Sequence, residues 1–262
     1  MRAKKRFGQH FLEPAWADKL AAAIDPQPDD RFVEIGPGPG ALTLRLAPRV
    51  RHVTAVEVDP AMIAALRPKL PGNVDLVQQD FLECDLASLA SGEPLRVAGN
   101  LPYNVSSPIL FSLLDTVRRG VPVRDATVML QLEVAERIEA SPGTRDYGVL
   151  SILVHLRADV RRLLTLPAGA FRPVPDVRSA VLRLTFRPPL VHVADEAIFE
   201  SMVRSMFTQR RKTLANALRP FASARGGVAS EALAAAGIDG SRRPETLDGR
   251  ELARLAGAFA AR

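Results

Sequence analysis

The most informative part of the sequence is Arg31-Phe-Val-Glu-Ile-Gly-Pro-Gly-Pro-Gly40, an apolar run followed by three closely spaced glycines. The run predicts a buried β-strand over 31–35, and the glycines predict a turn in which the main chain can approach a ligand closely. A helical pattern over 41–47 follows, which completes one strand–turn–helix unit of an α/β domain. The glycine spacing, G-x-G-x-G, differs from the G-x-G-x-x-G of dinucleotide-binding enzymes and argues against a dinucleotide-dependent oxidoreductase.

Similar units repeat along the chain. Further strands are predicted at 53–57, 74–78, 95–98, 126–130, 160–166 and 180–186, and further helices at 61–70 and 149–156. Alternating strands and helices predict a mainly parallel, Rossmann-like sheet with helices on both faces. After Arg187-Pro-Pro-Leu190 only helical patterns follow, at 196–218, 230–236 and 249–260. We therefore expect an α/β domain over residues 1–186 and a small all-α domain over 187–262.

Composition excludes several classes of protein. The single cysteine, Cys84, excludes an intrachain disulfide and a cysteine-cluster metal site, and the four histidines are scattered, so we expect no metal. No apolar run approaches the roughly 18 residues of a membrane span, so we expect no membrane partner. The basic start of the chain is not followed by the apolar core of a signal peptide. These features favour a reducing, cytoplasmic setting, and nothing in the sequence requires more than a monomer.

The charge distribution is uneven. There are 35 basic and 29 acidic residues, a net charge of +6. Residues 1–12 carry four basic residues and no acid, and 187–262 carry twelve basic and eight acidic residues, so the excess lies at both ends. Such a surface suits a polyanion such as RNA, although a merely solvated surface has the same composition.

Acidic side chains end the second and third predicted strands. Glu57 closes 53–57, and Asp80 follows 74–78. Because parallel strands end at one edge of the sheet, Gly36, Gly38, Glu57 and Asp80 are expected to meet there. A carboxylate in the position of Glu57 can accept both hydroxyls of a ribose. The set predicts a site for an adenosine-type ligand.

The fourth strand ends in Asn100-Leu-Pro-Tyr103. The Asn100 carbonyl and a main-chain carbonyl next to Pro102 can each accept one N–H of a nucleobase amine, which makes its nitrogen more nucleophilic. Tyr103 offers a ring on which the base can stack, and Phe171 could cover the opposite face. The alternatives are an ordinary Asn-Pro turn and a core phenylalanine.

The ordered motifs together resemble one family. They are Phe7-Gly-Gln-His-Phe-Leu12, Glu34-Ile-Gly-Pro-Gly38, Glu57-Val-Asp59, Gln79-Asp80, Asn100-Leu-Pro-Tyr103, Pro142-Gly-Thr-Arg-Asp-Tyr147, Phe171-Arg-Pro-Val-Pro-Asp-Val177 and Arg242-Arg-Pro-Glu-Thr-Leu247. This set resembles the KsgA/Dim-type adenine dimethyltransferases of small-subunit ribosomal RNA. The resemblance runs from Lys5 through the helical tail.

The resemblance implies a class I methyltransferase fold with seven strands, the last antiparallel, and S-adenosylmethionine as methyl donor. It implies dimethylation of two adjacent adenosines in the 3′-terminal hairpin loop of 16S rRNA, within an immature small subunit. The implied cofactor residues are His10, Leu12, Gly36, Gly38, Glu57, Asp80 and Asn100. The implied acceptor residues are Asn100 and Pro102, which hold the target amine, and Tyr103 and Phe171, which stack on its base.

The segment 204–219 is amphipathic if it is one continuous helix. Arg204, Arg211, Lys212 and Arg219 then share one outward stripe, for which the resemblance implies contact with the rRNA backbone. Arg210 falls on the apolar face and is expected to pair with an acid at the domain junction.

Two other functions fit parts of the sequence. A large-subunit rRNA adenine methyltransferase of the macrolide-resistance (Erm) type would share the nucleotide motifs and the chemistry. A non-catalytic ribosome-assembly factor could use the same scaffold. The rRNA that accepts methyl groups, small-subunit or large-subunit, distinguishes the first alternative from the family that the motifs resemble. For the second, Asn100→Ala separates the two roles if it abolishes methyl transfer and leaves binding to the small subunit intact.

Overall fold

The structure is a computed structural model that describes residues 10–260. The basic residues at the chain start, Arg2, Lys4, Lys5 and Arg6, lie outside the described residues. The chain forms two compact units. The sheet unit contains the described residues up to Ala135 and Asp159–Arg187, and the helical unit contains Glu136–Ala158 and the described residues from Pro188 onward.

The strands are β1 Phe11–Leu12, β2 Arg31–Ile35, β3 His52–Glu57, β4 Val74–Gln78, β5 Leu95–Asn100, β6 Val123–Gln131, β7 Ala158–Leu166, β8 Phe171–Arg172 and β9 Ser179–Phe186. Seven of them form one sheet in the order β4-β3-β2-β5-β6-β9-β7. The five neighbouring strands β4, β3, β2, β5 and β6 are parallel to one another, and β9 is antiparallel to β6. The predicted seven-stranded, mainly parallel sheet with an antiparallel last strand is confirmed.

The central strands are apolar because helices cover both faces of a parallel sheet. All of β2 except Arg31 is buried, and the first five residues of β5 are buried. The register places Ile35 beside Gly99 and Glu57 beside Gln78. The turn after β2, the end of β3 and the end of β5 therefore lie at the same edge of the sheet.

The α-helices of the sheet unit are α1 Pro14–Ile24, α2 Thr43–Leu46, α3 Pro60–Leu66, α4 Leu86–Ala90 and α5 Ser106–Arg118. The helix α6, Leu132–Glu139, begins in the sheet unit and ends in the helical unit. Short 3₁₀ turns occur at Ala47–Arg49, Arg67–Lys69, Phe81–Glu83 and Ala168–Ala170. Residues Leu20, Ile24 and Leu46 pack with Phe32 in a hydrophobic core on one side of the sheet.

A separate two-stranded ribbon holds the first described residues. β1 pairs antiparallel with β8, so that Leu12 lies opposite Phe171. The Glu13 main-chain N–H donates to Ala170 O at 2.9 Å, and Arg172 forms an ion pair with the Glu13 carboxylate at 3.0 Å. These contacts fix β1 beside the sheet edge described above.

The helical unit contains α7 Val149–Arg157, α8 Glu196–Thr208, α9 Leu214–Ala217, α10 Arg219–Ala224, α11 Ala229–Ala236 and α12 Gly249–Ala260, with a 3₁₀ turn at Pro244–Thr246. Residues 136–158 belong to this unit, whereas the expected boundary near 187 assigned them to the α/β domain. The reason is long-range bonding: Tyr147 donates a 3.0 Å hydrogen bond to Leu247 O, and Arg157 pairs with Glu196.

The expected continuous helix over 204–219 is wrong. α8 ends at Thr208, and 209–213 form a turn before α9. The main-chain N–H groups of Leu214 and Ala215 donate to Arg242 O at 2.7 Å and to Gly240 O at 3.1 Å. These long-range hydrogen bonds replace helical ones and interrupt the helix. The basic residues Arg204, Arg211, Lys212 and Arg219 are all exposed, but they lie on α8, the turn and α10 rather than on one stripe.

Arg210 does pair with an acid. Its Nε lies 3.9 Å from a carboxylate oxygen of Glu245, and its guanidinium donates to Thr144 O at 3.1 Å. Both partners belong to the helical unit, so the pair lies within one unit and not at a domain junction. Among residues 10–260, no helix is long and apolar enough to cross a membrane.

Candidate active site

A cavity of about 230 Å³ opens at the edge of the sheet unit where β2, β3, β4 and β5 end. Its wall contains every cofactor residue that the resemblance implies: His10, Leu12, Gly36, Gly38, Glu57, Asp80 and Asn100. Pro102 and Tyr103 also line it. The structure therefore brings the two predicted groups of residues, nucleotide-binding and acceptor-binding, to one cavity.

The glycine turn after β2 needs glycine for conformational reasons. Gly36 and Gly38 have φ angles of +63° and +54°, which side chains other than glycine adopt rarely. A Cβ at Gly38 would lie 3.4 Å from the Phe11 ring, an ordinary van der Waals distance, so the requirement for glycine comes from the φ angle and not from crowding. The main chain of this turn is thus presented directly to the cavity.

Glu57 is buried and held by two main-chain groups. One carboxylate oxygen accepts the Gly38 N–H at 3.0 Å, and the other accepts the Asp59 N–H at 2.9 Å. These bonds tie the glycine turn to the end of β3 and fix the direction of the carboxylate. Each oxygen keeps a second lone pair, so the group can still accept the hydroxyls of a ribose.

Glu34 belongs to the motif Glu34-Ile-Gly-Pro-Gly38, but the sequence analysis predicted no role for its side chain. It lies on β2, lines the cavity and is only 2 % exposed. Among residues 10–260, its Oε2 has no hydrogen-bond partner. Burial, together with the smaller effect of the Glu57 charge, raises the pKa of Glu34 from 4.5 to about 7, although hydrogen bonding to Thr43 acts in the opposite direction. The one acidic residue in an otherwise apolar strand was the signal in the sequence that could have identified it.

Asp80 lies at the far end of the cavity from Asn100. Its carboxylate accepts the Leu82 N–H at 2.9 Å and caps the 3₁₀ turn that contains Phe81. Val58 and Phe81 line the same end. An apolar wall beside a carboxylate acceptor suits a flat base with an exocyclic amine.

The Asn100 amide has a fixed orientation. Its Nδ2 donates to the His10 carbonyl at 2.9 Å. No donor within residues 10–260 reaches its Oδ1, which is therefore available to accept an N–H group from a ligand.

Tyr103 is held on two sides. Its hydroxyl lies 2.9 Å from Ser179 Oγ, and burial raises the pKa of the phenol. Its ring stacks on the His10 imidazole, with centroids 5.4 Å apart and planes 23° from parallel. His10 Nδ1 donates to Pro173 O at 2.8 Å.

Phe171 is not brought to the cavity. It is fully buried, packs in the core with Phe32 and Leu20, and does not line the cavity. In this structure the ring is one of the core side chains of the sheet unit, and its role as a cover for the target base stays a prediction. The alternative of a core phenylalanine describes its position.

Comparison with known proteins agrees with this geometry. Residues 1–245 match the model of the ribosomal RNA adenine dimethylase family. The chain is 44 % identical to ribosomal RNA small subunit methyltransferase A of Geobacter metallireducens, covering 100 % of this chain and 97 % of that protein. It is 46 % identical to the protein of the same name from Acidithiobacillus ferrooxidans, covering 98 % and 94 %.

Two solved structures are similar over nearly the whole chain. The 23S rRNA methyltransferase ErmE is 30 % identical, with a TM-score of 0.66 and coverage of 95 % and 99 %. A dimethyladenosine transferase from Plasmodium falciparum has a TM-score of 0.76 and coverage of 94 % and 96 %, and at 24 % identity it supports the fold alone. The fold and the cavity define a class I methyltransferase. The chain belongs to the ribosomal RNA adenine dimethylase family.

Proposed function

We propose that this protein transfers methyl groups from S-adenosylmethionine to the N6 amines of two adjacent adenosines in the 3′-terminal hairpin loop of 16S rRNA. The observation that carries the proposal is that Asn100, whose Oδ1 has no donor among the described residues, lines the same cavity as Glu57 and the glycine turn. The curated relatives at 44–46 % identity are named for the small subunit, which favours 16S rRNA over large-subunit rRNA.

The cavity fits the cofactor. In this proposal Gly36 and Gly38 present main chain to the cofactor, the Glu57 carboxylate accepts its ribose hydroxyls, and Asp80 accepts its adenine amine; all four residues line the cavity, which supports these roles. Glu34 also lines the cavity, and the carboxylate form of this residue would complement the positive charge of the cofactor's methionine part. His10 and Leu12 close the cavity from the β1 side. When bound, S-adenosylmethionine supplies an electrophilic sulfonium methyl group.

The acceptor end can make the amine nucleophilic. Asn100 Oδ1 and the main-chain carbonyl before Pro102 accept the two N–H groups of N6, which favours a pyramidal nitrogen with a localised lone pair. The Tyr103 ring supports the base by stacking. Asn100 and Pro102 thus orient the amine, and Tyr103 sets the plane of the base.

The partner is rRNA in an immature small subunit, and we place the reaction in the cytoplasm with the protein acting as a monomer. Exposed basic side chains of the helical unit support contact with RNA phosphates, namely Arg204, Arg211, Lys212 and Arg219. No group of three or more metal-ligating side chains occurs within the described part of the chain, and the proposal uses no metal.

The experiment is transfer of labelled methyl groups from S-adenosylmethionine to three acceptors: unmethylated small subunits, large-subunit rRNA and duplex DNA. We expect label in small subunits alone. Label in large-subunit rRNA would instead support the resistance-type enzyme. Cofactor binding without any transfer would support a non-catalytic assembly factor.

A further inference from the structure

We propose that Ser179 is a positioning residue for methyl transfer, because its hydroxyl anchors the tip of the Tyr103 ring on which the target base stacks. The proposal rests on the function proposed above and names a residue outside the cavity wall.

The bond connects distant parts of the sheet unit. Tyr103 follows β5, Ser179 begins β9, and β6 lies between these strands in the sheet. The Tyr103 hydroxyl lies 2.9 Å from Ser179 Oγ, a normal hydrogen-bond distance. Ser179 sits opposite Gln131 in the register of β6 and β9, and that pairing fixes its place.

Ser179 is an unusual residue for its environment. It is 0 % exposed, and Ala180, Val181 and Leu182, which follow it, are also fully buried. A hydroxyl buried without a hydrogen bond is costly, so alanine would suit this strand better if packing alone mattered. Within residues 10–260 the only hydrogen-bond partner of its side chain is Tyr103. The hydroxyl is therefore explained by its bond to the phenol.

Stacking of the target base depends on the orientation of the Tyr103 ring. A stacked base is held well only when the ring beneath it keeps one plane, since aromatic stacking depends on the offset and angle of the rings. The hydroxyl bond fixes the position of the ring tip, and with it the direction of the long axis of the ring. The His10 imidazole, stacked on one face with 5.4 Å between centroids, restrains rotation of the ring about that axis. The two contacts together set the plane of the ring.

The test uses Ser179→Ala, Tyr103→Phe and the double variant, each in the full chain. The rate of a single methyl transfer to unmethylated small subunits is measured at saturating S-adenosylmethionine. Each single variant should slow transfer by about three- to tenfold, the value of one net hydrogen bond. The double variant should be no slower than Tyr103→Phe, because both changes remove the same bond.

Thr127→Val is the matched control. Thr127 is another buried hydroxyl residue of the sheet, 1 % exposed, and its Oγ1 has no partner among the described residues. It should leave the transfer rate unchanged. Affinity for S-adenosylhomocysteine should remain within twofold of wild type in every variant, whereas a general loss of structure would lower it. Ser179→Thr, which keeps the hydroxyl, should restore part of the rate.

If Ser179→Ala transfers methyl groups as fast as Thr127→Val, the role of Ser179 is disproved, while the proposed function of the protein still stands. Effects of Ser179→Ala and Tyr103→Phe that multiply in the double variant would also overturn it, because the residues would then act independently. If the wild-type protein transfers no methyl group, the proposed function fails, and the role of Ser179 fails with it.

Discussion

Asn100 Nδ2 donates a hydrogen bond of 2.9 Å to the main-chain carbonyl of His10, 90 residues earlier in the chain. The bond selects which end of the amide faces the cavity. It also ties the residue before β1 to Asn100, for which we propose contact with the target amine. The position of β1 and the orientation of the Asn100 amide therefore depend on the same hydrogen bond.

Asn100→Ala should reduce methyl transfer by about 10²- to 10³-fold, because it removes an acceptor that acts on the reacting amine. Cofactor affinity should fall by no more than about threefold, since the glycine turn and Glu57 remain. The rate is measured by single turnover with small subunits, and the affinity by calorimetry with S-adenosylhomocysteine. Asn100→Asp is the matched variant: it keeps an acceptor but places an oxygen against His10 O, so it should also be slow. Full turnover by Asn100→Ala would disprove the role of the amide.

Glu57→Ala should weaken cofactor binding by about 10- to 100-fold. The change removes the ribose acceptor and leaves the main-chain N–H groups of Gly38 and Asp59 without their carboxylate partner. Titration calorimetry measures the affinity, and the rate at saturating cofactor should change less than the affinity. Glu83→Ala, an exposed acid near the same edge, serves as the control. Unchanged affinity in Glu57→Ala would show that this carboxylate does not bind the cofactor.

Glu34 should make the stability of the protein without cofactor depend on pH. Its pKa rises from 4.5 in the unfolded chain to about 7 in the folded protein, because burial disfavours the charged form. Between these pH values the folded protein keeps a proton that the unfolded chain has lost, so this group's contribution falls as pH rises from about 4.5 to 7. Glu34→Gln should remove that fall.

The measurement for Glu34 is urea unfolding of both proteins at pH 5 and pH 8. The free energy of unfolding of Glu34→Gln, relative to wild type, should be higher at pH 8 than at pH 5 by about 2 to 3 kcal/mol. An equal difference at the two pH values would mean that the Glu34 carboxyl is not protonated in the folded protein near neutral pH.

The paired change Arg211→Ala with Lys212→Ala should weaken binding to small subunits and make its dependence on salt shallower. Both side chains are exposed on the turn between α8 and α9. Loss of two phosphate contacts should reduce the slope of log affinity against log salt by about 1 to 2. Arg211→Lys keeps the charge and should keep the slope. An unchanged slope in the paired variant would exclude this turn from the RNA contact.

The sheet could be predicted from sequence because its strands are short apolar runs separated by glycine, proline and acidic turns. The position of the cavity could also be predicted, because the carboxyl ends of parallel strands lie at one edge of the sheet. Glu57, Asp80 and Asn100 could be placed there without coordinates.

The remaining features depend on long-range contacts that local patterns do not contain. The helix pattern over 204–219 is interrupted because Leu214 bonds to Arg242 O. Residues 136–158 join the helical unit through contacts such as that of Tyr147 with Leu247, a hundred residues later. Phe171 begins a proline-rich loop, and nothing in the local sequence indicates that its ring packs in the core.

The most direct test of the account is nucleoside analysis of 16S rRNA after unmethylated small subunits are incubated with S-adenosylmethionine and either wild-type protein or Asn100→Ala. The account predicts two dimethyladenosines per small subunit with the wild type, and almost none with a variant that still binds the cofactor. Equal dimethyladenosine from both proteins, or none from the wild type, would contradict it.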